Sequence, residues 1–378
     1  MDGLRAIAIL LVMLCHAVSP VSGYGGMPDW TIGDVSLVTS LLNGWIGVDL
    51  FFVLSGFLIG GHLLRTFERR EFRWSHYLCQ RALRIIPTFW FVMAVLAIGA
   101  IPFYDVPQTD LPIRILLNLL FLEDYVRANL NGTFWSLGVE EKFYLLAPIL
   151  LGAVFAVRRL SARLAVLASV VLVVLIGRIL AAAPIESFEQ FLAEYRKPFH
   201  RCVDTLVIGI AAAVICDHVK RCGVAVGRAA DFLAWGGFAA VFVFLGATEL
   251  YEPISWWDMT GQATAIGLAF GATLLGCALG GGPQRTLSAP PLLMVARISY
   301  PLYLIHYPLV PLCWTIVGVA QGEGAGNLWG FLAVFFIISF AAALALHFTV
   351  EKPFLVLKDR LGQRRSSGAG AELTLQLR

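Results

Sequence analysis

Arg5 and His16 lie in the first apolar segment, Leu4 to Val21, eleven residues apart. An α-helix turns about 100° and rises about 1.5 Å per residue, so eleven steps bring the two side chains back to one face, roughly 20° apart in angle and about 16 Å apart along the axis. A guanidinium at the helix entrance therefore shares a stripe with an imidazole near the middle of a bilayer. Ionisable groups at that depth cost about 2.5–3.5 kcal/mol on insertion scales, so they are rarely kept there without a use. A neutral imidazole in that position can take a proton from a hydroxyl, or accept a group itself. The pair points to chemistry done inside a membrane.

Other residues fit the same geometry. In Gln80-Arg81-Ala82-Leu83-Arg84-Ile85-Ile86-Pro87, Arg81 and Arg84 stand three apart on one helical face where the third apolar span begins. Two guanidinium forks at that spacing suit a polyanion such as a nucleotide diphosphate. Arg65, Arg69, Arg70 and Arg73 nearby read as ordinary topology signal. In Thr133-Phe134-Trp135-Ser136-Leu137-Gly138-Val139-Glu140-Glu141-Lys142-Phe143-Tyr144, Glu140 shares a face with Phe143, Tyr144 and, one turn earlier, Ser136. That suits a carboxylate turned toward a cavity, while Glu141 and Lys142 read as an interfacial pair. Asp49, one turn into the second span, either orients His16 or caps its helix. His306, mid-helix in Ser299-Tyr300-Pro301-Leu302-Tyr303-Leu304-Ile305-His306, is either a hydrogen-bonded core residue or a second working imidazole. Arg201 and Asp204 are expected to form a structural ion pair, and Glu351-Lys352-Pro353 to terminate the last helix. The candidates are His16, Glu140 and Asp49 for catalysis, Arg5, Arg81 and Arg84 for a donor, and Trp135, Ser136, Tyr144 and His306 for the substrate.

The elements that position these residues follow from composition. Of 378 residues, 58% are hydrophobic and 14% charged, against about 25% charged in soluble domains. The deficit runs the whole length, which predicts an all-α polytopic bundle. The basic tracts are short and flank apolar helices, which argues against nucleic-acid binding. The seven cysteines form no CxxC pair and read as small core residues, with neither disulfide nor zinc. Apolar spans are expected near 5–21, 44–62, 85–101, 137–156, 164–183, 202–216, 229–248, 259–279, 293–319 and 327–350, the sixth being short. Ile113 to Leu122 is too short for a core about 30 Å thick and reads as re-entrant or interfacial. The first run is a span rather than a signal peptide, because a second apolar segment follows it.

With the N-terminus inside, outer loops hold only Arg114, Arg127, Arg178, Arg196, Lys197 and Arg201, and Lys142 sits within a span. The remaining Lys and Arg fall inside. This positive-inside asymmetry predicts about ten crossings of the plasma (inner) membrane, with both termini cytoplasmic. Ser19 to Asn43, an outer loop, is expected to pack as a lid or rim. Residues 1–357 form the transmembrane unit, and 358–378 read as a disordered cytoplasmic tail, with no soluble catalytic domain appended.

Six blocks in order resemble the acyltransferase 3 family of membrane-bound acyltransferases, which includes O-antigen and peptidoglycan O-acetylases. They are Asp2-Gly3-Leu4-Arg5 through His16, Gly47 to Leu58, Arg81-x-x-Arg84, Trp135-Ser136-Leu137-x-x-Glu140-x-x-Phe143-Tyr144, Ser299-Tyr300-Pro301-Leu302-Tyr303-Leu304-x-His306 and Glu351-Lys352-Pro353. The resemblance covers essentially the whole chain. It implies transfer of an acyl group, commonly acetyl from acetyl-CoA, to a hydroxyl on an extracytoplasmic or lipid-linked carbohydrate, with acyl-CoA as co-substrate and no metal. It also implies the roles argued for Arg5, His16, Arg81 and Arg84. On physics alone, a transporter of a lipid-linked sugar or small anion fits a bundle lined with polar residues equally well.

Overall fold

The computed structural model describes residues 1–22, 31–32, 35–126, 130–247, 254–318 and 328–361. Among the described residues, apart from a two-residue antiparallel pairing of Thr31–Ile32 with Val35–Ser36, the regular structure is helical. The principal helices are α1 (Asp2–Ser22), α2 (Gly47–Glu68), α3 (Trp74–Ala97), α4 (Leu111–Leu119), α5 (Trp135–Ala156), α6 (Leu160–Ala181), α7 (Phe199–Cys222), α8 (Gly227–Ala247), α9 (Gln262–Ala278), α10 (Pro290–Arg297), α11 (Ser299–Val317) and α12 (Leu328–Leu346). Among the described residues, seven helices are long and apolar enough to cross a membrane. They are α2 with its lead-in, α3, α6, α7, α8, α11 and α12 with its continuation. Helix α9 is apolar but spans 17 residues, and α5 carries Glu140, Glu141 and Lys142. The short α4, nine residues long, occupies the stretch expected to be re-entrant or interfacial.

Small residues set the packing. In lipid, helices associate through close van der Waals contact, which glycine permits by bringing backbones together. Helix α2 packs most extensively on α7, where Gly56 and Gly209 face each other. A Cβ on Gly56 would stand 1.9 Å from the Leu206 carbonyl oxygen, and one on Gly209 would stand 2.1 Å from that of Val53. A second tight crossing joins α8 to α9 at Gly237 and Gly276. Burial ranks the helices: 67% of the apolar window of both α2 and α7 is buried, against 17% for α6. Helices α2 and α7 are therefore central and α6 peripheral. The span expected to be shortest, 202–216, is thus a 24-residue helix at the heart of the bundle.

Two expectations at the C-terminal end are corrected. Glu351-Lys352-Pro353 does not end the last helix. Residues His347–Glu351 form a π-turn, with the Lys352 N–H on the His347 carbonyl, and helix continues to Leu361. A wide turn placed immediately before a proline lets a helix absorb the missing N–H and the ring. Glu351 pairs with His347 Nδ1 at 2.6 Å, while Lys352 lies over the Phe348 ring at 5.0 Å. Residues 358–361 are accordingly helical, and the rest of the expected tail, 362–378, lies outside the described residues, as do Arg127 and much of the expected Ser19–Asn43 rim.

Candidate active site

A proline organises the centre of the bundle. Pro308 in α11 has no N–H, so the Leu304 carbonyl one turn back loses its helical partner. Asn131 Nδ2 donates to that carbonyl at 2.9 Å, and Asn131 Oδ1 accepts both the N–H and the hydroxyl of Thr133, each at 3.1 Å. The loop before α5 is thereby tied to α11. In consequence Ser136 Oγ stands 2.6 Å from the Tyr303 hydroxyl, which donates to the Thr133 carbonyl at 2.9 Å.

Below this tie lies a cavity of about 100 Å³. Its polar lining includes Arg5 from α1, Ser55 from α2, Arg81 and Arg84 from α3, Ser136, Glu140 and Tyr144 from α5, and Ser299, Tyr300 and Tyr303 from α11. Glu140 accepts hydrogen bonds from Ser55 Oγ at 2.5 Å and from the Tyr144 hydroxyl at 2.9 Å. The Arg81 guanidinium faces the rings of Tyr77 and Tyr144, at 5.8 and 5.6 Å, and its Nε is buried without a partner among the described residues. Arg5 pairs with the exposed Asp2 at 3.4 Å, and with no other carboxylate among the described residues. Neither Arg81 nor Arg84 enters an ion pair among the described residues. Three guanidinium groups thus face one carboxylate that is already hydrogen-bonded, and the lining carries an excess of positive charge fit for an anion.

His16 lies beyond the other end of this cavity. Its Nδ1 is 2.9 Å from His306 Nε2, with the rings stacked at 5.1 Å between centroids and the Tyr307 ring edge-on at 5.0 Å. His306 is fully buried, and its Nδ1 lies 3.0 Å from the Leu302 carbonyl oxygen. His16 is only half-buried. It does not line the cavity, whereas Ser136 and Tyr303 do. Tyr303 stands between, its ring 6.0 Å from that of His306.

The structure does not bring Asp49 to His16. Asp49 Oδ2 is 2.8 Å from Arg196 Nη2, both side chains are buried, and the Arg196 guanidinium also covers Trp45 at 4.3 Å. Trp135 packs edge-on against Phe52 at 6.1 Å and is absent from the cavity lining. Asp204 pairs with Arg178 at 2.5 Å rather than with Arg201, because Arg178 reaches in from α6 and is also held by Arg201, Thr260 and Thr264. Arg201 instead covers the Tyr195 ring at 4.6 Å. Lys142 turns from Glu141 to Asp124, at 2.6 Å, and to the carbonyls of Phe121 and Gly138. Beside that pair Glu123 is 1% exposed. Neither of its carboxylate oxygens has a partner among the described residues, and burial pushes its pKa up to about 8. Among the described residues no group of three or more His, Cys, Asp or Glu is placed to hold a metal ion.

A model of the acyltransferase domain matches residues 1–348. The chain belongs to the acyltransferase 3 family. It is similar to peptidoglycan O-acetyltransferase OatA of Listeria monocytogenes, at 24% identity over 87% of this chain and 51% of that protein. It is also similar to O-acetyltransferase OatA of Staphylococcus aureus, at 25% identity over 82% of this chain and 50% of that protein. The chain spans about half the length of the curated relatives it matches. No solved structure matches. Within this acyltransferase 3 chain, residues from five of the six blocks surround the cavity or the imidazole pair. Sequence reasoning did not single out Ser55, Asn131 or Tyr303 as site residues. Ser55 and Tyr303 lie inside blocks that carried the resemblance. Only Pro308 hinted at Asn131, since a mid-helix proline leaves a carbonyl in need of a donor.

Proposed function

We propose that the protein is an integral-membrane O-acyltransferase that moves an acyl group, acetyl in the first instance, from cytoplasmic acyl-CoA to a hydroxyl of an extracytoplasmic carbohydrate. The observation that carries this reading is the order of groups along α1. Arg5 opens an arginine-flanked cavity at one end, and His16, about 16 Å further along the axis, meets His306 at 2.9 Å at the other. In this reading Arg81 and Arg84 take the phosphates of the donor, Arg5 steadies the same charge, and the pantetheine arm enters between α2, α3 and α5. The donor reaches the imidazole only when the Tyr303–Ser136 contact yields.

His16 then works as the general base. The acceptor oxygen bonds to the acyl carbon as its proton passes to His16 Nε2. Collapse breaks the carbon–sulfur bond, and the imidazolium returns the proton to the departing sulfur. Glu140, held by Ser55 and Tyr144, contributes negative charge that orients the guanidinium groups around it.

Ten crossings with both termini cytoplasmic, in the plasma membrane, fit this direction of transfer. Two cations on the expected outer side, Arg178 and Arg196, are held in buried ion pairs with Asp204 and Asp49, so they serve the packing of the bundle. The names of the relatives make peptidoglycan the first acceptor to try. The test is purified protein in liposomes, with labelled acetyl-CoA inside and peptidoglycan fragments or other glycans outside. Label on the glycan is expected. Movement of intact substrate without transfer, or binding alone, contradicts the proposal.

A further inference from the structure

The imidazole pair fixes its own protonation pattern. The Leu302 oxygen is a carbonyl and can only accept, so the 3.0 Å contact places a proton on His306 Nδ1. A neutral His306 then presents a lone pair at Nε2. The 2.9 Å contact to His16 needs one proton, which must come from His16 Nδ1. That leaves the second nitrogen of His16, Nε2, as a lone pair on the ring that is not fully buried. The resulting chain runs His16 Nδ1–H to His306 Nε2, and His306 Nδ1–H to a backbone oxygen.

We propose that His306 is a positioning residue that locks His16 in the Nδ1–H tautomer and shares its positive charge during transfer. The proposal rests on reading His16 as the base. When the acceptor proton arrives on His16 Nε2, the Nδ1 proton can pass to His306 Nε2. The charge is then spread over two rings, with His306 Nδ1–H still on the Leu302 carbonyl. The chain ends at a backbone carbonyl, which takes up no proton, so both protons return along it when the thiolate leaves. Three groups keep His306 in register: its own helix through Leu302, Asn131 on the neighbouring carbonyl, and Tyr303 one turn earlier, tied to Thr133.

Two variants of the full chain in nanodiscs separate positioning from mere packing. His306→Gln retains an oxygen that can accept the His16 Nδ1 proton but cannot carry it away, and His306→Phe retains neither property. Nitrogen-15 spectra of histidine-labelled protein, with His16 assigned by subtraction of His16→Gln, report the tautomer without any turnover. The Nδ1–H form is expected in wild type and in His306→Gln, and a mixture in His306→Phe. In acyl transfer, His306→Phe should lower kcat about 10²-fold with the KM for acetyl-CoA unchanged, and His306→Gln should recover part of that loss. An unchanged His16 tautomer in His306→Phe overturns the proposal, as does a rate loss matched by loss of folded protein. If His16→Ala transfers at the wild-type rate, the base reading fails, and the spectra alone decide whether His306 positions the ring.

Discussion

Asp49→Ala should unfold the protein rather than disarm it. Asp49 and Arg196 meet at 2.8 Å with side chains 0% and 4% exposed, so removing the carboxylate leaves a guanidinium buried and uncompensated. Breaking a buried pair in this one-sided way costs about 3–5 kcal/mol. The stacking of Arg196 on Trp45 at 4.3 Å, worth about 0.5–2 kcal/mol, is present in both proteins and offsets nothing. Against a total stability of about 5–15 kcal/mol, the loss is about a fifth or more. Asp49→Ala combined with Arg196→Met removes both charges and should recover most of it, since replacing a buried pair with apolar side chains is often neutral. The assay is denaturant unfolding in detergent, paired with single-turnover transfer normalised to folded protein. The expected pattern is a large stability loss in the single variant, recovery in the double, and a near-normal rate per folded molecule in both. Wild-type stability with a collapsed rate in Asp49→Ala would instead place Asp49 in the chemistry.

Arg81→Ala with Arg84→Ala should weaken acyl-CoA binding most among cavity variants, by about 1.5–3 kcal/mol for each charge-assisted hydrogen bond lost. Equilibrium binding in detergent checks this, and an unchanged affinity would remove the donor role. Gly56→Ala puts a Cβ 1.9 Å from the Leu206 oxygen, and overpacking of that kind costs about 1–3 kcal/mol. Its melting temperature should drop, while Gly61→Ala, with Arg65 Nη1 3.4 Å away as its nearest atom, should melt close to wild type. Glu123 is protonated in the folded state up to about pH 8 but ionised in the unfolded chain above about 4.3. Between those values the folded state binds the extra proton, so stability falls with rising pH by up to about 1.4 kcal/mol per unit. Glu123→Gln should flatten that slope over this window, and an unaltered slope would assign it to other groups.

Helix periodicity carried the sequence reading where partners sit on one helix. Arg5 and His16, Arg81 and Arg84, and Glu140 with Tyr144 all follow from turns of about 100°; the structure places Arg81 and Arg84 together on the cavity lining and joins Tyr144 to Glu140, while of the first pair Arg5 alone lines that cavity. Pairings between helices were not legible. His16 and His306 are 290 positions apart and Asp49 and Arg196 are 147 apart, and nothing local states which of several buried charges will meet. Sequence proximity favours Arg201 as the partner of Asp204, whereas Arg178 takes that place by entering from another helix. The C-terminal misreading has a different origin. Pro353 signals a helix stop, and the π-turn at His347–Glu351 that accommodates it has no marker in composition.

If the His16 imidazole performs the transfer from a thioester donor, its removal must show within a single turnover. Single-turnover transfer of labelled acetyl from acetyl-CoA to a glycan acceptor, comparing wild type with His16→Ala at equal folded and inserted protein, tests it most directly. A rate lower by about 10²–10⁴, with acetyl-CoA binding retained, is expected. A variant that transfers label as fast as wild type would contradict it.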